Sequence, residues 1–110
     1  MKWGSFLGVR PKTLPIWAAL CTGCADGSDQ KYSAQAKHAI LAMVRAQESD
    51  AENAICSLLQ SKGWREPTIQ KLKKLVQPFH SDDPIMRGCH ERAAKNGAGM
   101  VVYSDPIEEA

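Results

Sequence analysis

Long apolar runs are missing from this chain. No stretch approaches the ~20 consecutive apolar residues that a bilayer-spanning helix needs, so the sequence offers no transmembrane segment. A dominant charge sign is missing too. Fourteen Lys and Arg stand against twelve Asp and Glu, leaving +2, too little for the electrostatic footprint of a nucleic-acid or acidic-membrane binder. Aromatic residues make up only 6% of the chain and do not interleave with its basic cluster, so single-strand stacking has no platform. No G-x-G-x-x-G, P-loop, H-E-x-x-H or G-x-S-x-G motif occurs. There is no internal repeat, low-complexity segment or linker. What remains is 110 residues, 44% hydrophobic and 24% charged, the composition of one ordered domain over 1–110.

The clearest signal lies between His38 and Val76. Ala51, Ala54, Ile55, Leu58 and Leu59 follow the spacing of one buried helix face. Ser49 with Glu52 has the pattern of a capping box, and Gly63 stands where a left-handed residue closes a helix. These features predict a helix over 50–62. The nearly continuous apolar run His38–Ala46 predicts a buried strand before it. After it, 67–76 is assigned to a strand, with a helix as the alternative, because Ile69, Leu72, Leu75 and Val76 are spaced helically; a strand there requires a bulge near Leu72.

Glycines alternating with larger residues over 3–9 predict a first strand, 10–13 a turn, and 14–21 a second strand. Gly23 to Ser33 reads as a polar loop. Asp83 and Pro84 fit the N-cap and first position of a second helix, closed by Asn96-Gly97, with Ile85, Met86, Cys89, Ala93 and Ala94 on its buried face. A last strand covers 99–104, and Glu108-Glu109 forms an acidic tail. The expected fold is α+β: an antiparallel or mixed sheet of four to five strands with two helices on one face, ferredoxin-like in general architecture.

Candidate chemistry is sparse. Cys21-x-x-Cys24 is the only motif able to chelate a metal or form a redox pair, but it lacks a second close pair and a following helix. Cys56 and Cys89 fall on predicted helices, as small core residues do. His90 beside Cys89 projects about 100° away from it and reads as solvated. His38, His80 and Cys89 are the groups a pocket would use. Lys62, Arg65, Lys71, Lys73 and Lys74 form the basic cluster, read as a solvated face. Trp64, just after Gly63, reads as a hydrophobic contact on the helix end.

Lys2, Arg10 and Lys12 precede the apolar segment Leu14–Leu20 and then Cys21-Thr22-Gly23-Cys24. In these residues the N-terminus resembles a bacterial lipoprotein signal, which implies membrane anchoring through a lipidated Cys24. It departs from that pattern at Cys21, where an aliphatic residue is usual, and at Pro15 inside a short apolar segment.

The leading expectation is a small, cytoplasmic, non-catalytic protein-binding module, such as a bacterial inhibitor or immunity protein that occludes a toxin or enzyme. Asp26, Asp29, Asp82 and Asp83 are its expected partner-binding residues. No catalytic residue, metal, cofactor or nucleic-acid partner is assigned, and a homo-oligomer stays open. The alternatives are a small enzyme or ligand binder with a pocket between sheet and helices, and a thiol or metal protein centred on Cys21 and Cys24.

Overall fold

The structure, a computed structural model, describes residues 14–28 and 31–106, the last three as backbone alone. The strand expected over 3–9, the turn over 10–13, Trp3, Asp29 and the acidic tail lie outside the described residues. In chain order the elements are β1 (Ile16–Ala25), β2 (Lys37–Arg45), a 3₁₀ turn (Glu48–Asp50), α1 (Ala51–Ser61), β3 (Trp64–Lys74), α2 (Pro84–Asn96) and β4 (Ala98–Pro106). Among the described residues four strands form one sheet in the order β3-β1-β2-β4, with every neighbouring pair antiparallel. This is an α+β fold.

The two helices, expected on one face, take one face each. Along β1 and β2, Trp17, Ala19, Cys21, Ile40, Ala42 and Val44 join the core beneath Ile55 and Leu59 of α1. Their neighbours Ile16, Leu41 and Met43 point the other way and join Cys89 and Ala93 of α2. Successive strand side chains face opposite sides, so a strand that is apolar at nearly every position needs cover on both. β2 is such a strand: Ile40 to Val44 are all buried.

β3 confirms the strand assignment and extends it back to Trp64. Its register against β1 shifts twice, between Leu20/Cys21 and between Thr22/Cys24. Lys71 pairs with Leu20 and Ile69 with Cys21, so the extra residue is Gln70. That bulge puts Ile69 and Leu72 against the same core, although they are three apart, and Leu75 belongs to the other core. The spacing that looked helical comes from a bulged edge strand that meets one core and from Leu75, just past its end, which meets the other.

Both helix ends predicted with glycine are present. Gly63 and Gly97 have φ of 90° and 91°, and a Cβ on Gly63 would meet Ser28 Oγ at 2.6 Å. Asp83 caps α2, its Oδ1 accepting from the Ile85 N–H at 2.9 Å, with Pro84 in the first turn. The Ser49/Glu52 capping box does not form. Asp50 is the N-cap of α1, with helical backbone and no side-chain cap bond, because the 3₁₀ turn runs directly into the helix. Its first orphan donor is met by main chain instead, Asp50 N–H donating to Gln47 O at 2.9 Å.

Candidate functional site

The cysteine pair falls inside β1 rather than in a loop. Cys21 and Cys24 are three apart on a strand paired to β2 without a register shift, so they project to opposite faces. Cys21 is buried in the α1-side core, and burial, with the Cys56 thiol as a second cause, pushes its pKa up to about 11. That is an inert structural thiol rather than an activated one. Cys89 is fully buried and raised by burial in the same way. The segment resembling a lipoprotein signal is largely the central strand; cleavage before Cys24 would remove most of the strand on which β2 and β3 both pair. Among the described residues no helix is long and apolar enough to cross a membrane.

His38 is 2% exposed and bonds through Nδ1 to Tyr103 O at 2.8 Å. Its ring meets those of Tyr32 and Trp64 edge-on at 5.0 and 5.5 Å. This is packing under the start of β3, and it explains Gly23, where a Cβ would come within 3.3 Å of Trp64 Cβ. Trp64 is buried in the α1-side core, and so is Trp17, whose Nε1 donates to Ala46 O at 3.0 Å.

The opposite face is less complete. α2 lies over β2 and β4, so the β1–β3 half of its face is covered only at the rim, by Leu75, Phe79 and Met86. A cleft of about 280 Å³ opens there, floored by Ala18, Leu20 and Leu41 and walled by Lys71 and Lys73. Leu20 is 46% exposed although β1 is one of the two inner strands of the sheet. Val76, 78% exposed, adds apolar surface on the adjoining cleft. A second cleft, holding Val76, Pro78 and His80, shares Lys73, Leu75 and Phe79 with the first. The basic cluster is thereby divided: Lys71 and Lys73 pair with Leu20 and Ala18 on this face, and Lys74 pairs with Trp17.

Phe79 also borders a third, polar cleft of about 330 Å³ with His80, Asp82, Arg87, His90 and Glu91. His90, expected in solvent, is half-buried. It stacks on Phe79 at 4.5 Å and 22°, and its Nε2 is buried without a partner. Burial first, and the positive charge of Arg45 second, lower its pKa and favour the neutral ring.

The expected acidic contacts do not form one patch around this surface. Asp82 is exposed and lines the polar cleft, but Asp83 is engaged as the α2 cap. Asp26 sits at the far end of α1, donating its N–H to Gly63 O at 3.0 Å and accepting from the Ser28 N–H at 2.8 Å. The bonds from Ser28 hold its carboxyl below the usual carboxylate range. Since α1 and α2 lie on opposite faces, Asp26 and Asp82 belong to different sides of the molecule. The exposed apolar group was missed in the sequence because Leu20 lies within an apolar strand and reads as core; only strand order and helix placement uncover it. Compared with family models, curated proteins and solved structures, the chain matches none.

Proposed function

We propose that the protein is a non-catalytic protein-binding module, of the inhibitor or immunity type that occludes a partner. The observation carrying this reading is the uncovered β1–β3 half of the α2-side face, with Leu20 and Val76 exposed around it. Contiguous exposed apolar surface rimmed by charge is characteristic of protein docking sites. Lys71 and Lys73 on one wall and Asp82 beyond Phe79 give that surface charges of both signs, which set register and on-rate more than affinity. The test is a quantitative pull-down from source cells with wild type, Leu20→Lys, and Gln60→Lys on the outer face of α1. A stoichiometric protein retained by wild type and Gln60→Lys and lost by Leu20→Lys is expected. No retained protein, or one indifferent to Leu20, refutes the reading.

The polar cleft favours a second reading, a small ligand binder or enzyme. His90 offers a neutral imidazole there, with His80, Asp82 and Arg87 beside it. Under that reading His90→Gln abolishes a ligand-binding or turnover signal that Leu20→Lys leaves intact.

A further inference from the structure

We infer that the edge of β4, which no strand among the described residues pairs with, pairs with β4 of a second copy of this chain, joining two sheets into one. The two sheet edges differ in a way that points to this. β3 is blunted along its length. Pro67 lacks an N–H, Glu66 has a φ of 53°, two register shifts interrupt the ladder, and Arg65, Glu66, Lys71, Lys73 and Lys74 are charged. Natural sheets use these devices to prevent edge-to-edge pairing. β4 carries such devices only at its end, as Asp105, Pro106 and a register shift between His38 and Ile40. From Ala98 to Ser104 it carries no charge and no proline, and its pairing with β2 is unbroken from Ala98 to Val102.

The direction of its free groups follows from the ladder. Arg45 N–H donates to Gly97 O at 2.9 Å, which turns Gly97, Gly99 and Val101 toward β2. Ala98, Met100 and Val102 therefore aim their N–H and C=O groups away from the sheet. The Met100 carbonyl is met from outside by Arg92 Nη2, a single exposed bond of 3.3 Å. This edge floors a groove of about 540 Å³ between Leu58 and Lys62 of the α1 side and Arg92 and Asn96 of α2.

A second copy suits that groove because the strand is self-complementary. Antiparallel pairing about a two-fold at Met100 sets Met100 opposite Met100 and Ala98 opposite Val102. All three side chains are partly buried at the rim of the α1-side core, so pairing covers apolar surface with apolar surface. No like charges meet across the strands. Arg92 and Lys62 are the cations lining this groove, and both oppose pairing; Arg92 must also give up its bond to Met100 O.

Sedimentation velocity over a wide concentration range tests the inference. Wild type should pass from the 12.1 kDa chain to twice that mass. Met100→Lys and Met100→Glu should each remain monomeric, and an equimolar mixture of the two should dimerise, since opposite charges then face each other. Arg92→Ala should tighten the wild-type dimer and leave the circular dichroism unchanged, a readout that holds if the Met100 variants fail to fold. A wild type that stays monomeric overturns the inference. So does a dimer that survives in Met100→Lys alone or is indifferent to Arg92→Ala. A chain whose β4 takes only a foreign peptide strand falls in the first of these outcomes.

Discussion

His90 is the residue whose environment departs furthest from what its neighbours in sequence suggest. Its position next to Cys89 on a helix was legible, and so was its separation from that thiol. Its stacking on Phe79 was not, because Phe79 lies in an irregular connection whose path only the fold determines. The stack has a pH consequence. The folded state disfavours the charged ring, so between the lowered folded pKa and the ordinary value of about 6.5 the unfolded chain binds more protons. The stability this implies is fully present above about pH 6.5 and declines as pH falls through the folded value. The melting temperature should therefore drop between pH 7.5 and 5.5, and less steeply in His90→Phe, which keeps an aromatic ring against Phe79 and cannot titrate. Equal slopes in the two proteins would remove His90 as the cause. Cys21 and Cys24 teach the same lesson differently: a Cys-x-x-Cys spacing is a chelating pair only in a turn or helix, and a strand sets its thiols back to back.

At the scale of elements, the strands and helices were read from local signals and those signals mostly sufficed. Proline and aspartate at 83–84 and glycine at 63 and 97 fix helix ends through geometry that few other residues adopt. The failure was at the start of α1, where Ser49 and Glu52 have the right spacing but a 3₁₀ turn supplies the backbone acceptor first. The two ends make a matched experiment. Asp83→Ala removes an observed cap bond and should cost about 1 kcal/mol in urea unfolding. Ser49→Ala removes none and should stay within about 0.5 kcal/mol of wild type. A Ser49 effect as large as that of Asp83 would restore the capping box. The same bond makes Asp82, and not Asp83, the residue at which charge reversal reads partner binding separately from folding.

For the whole molecule, the class was legible because helical and strand periodicities alternate along the chain, while strand order was not, since antiparallel ladders leave no trace in spacing. One global feature was written in the sequence and passed over: the continuous apolar run of β2 already called for a helix on each side. Among the described residues the cores are unequal, with twelve buried residues on the α1 side and six on the α2 side. Regions with less buried apolar surface open at lower free energy. Cys89, fully buried under α2, should thus become alkylated by iodoacetamide, as located by mass spectrometry, at urea concentrations where the α1-side core is still closed. Simultaneous exposure of both cores would show a single cooperative unit. Trp17 and Trp64 both lie in the α1-side core, which gives these two indoles a one-sided view. Their emission reports the closing of one half of the protein and is blind to the other, so the transition that these two indoles contribute to a fluorescence melt gives a stability that belongs to the α1 side.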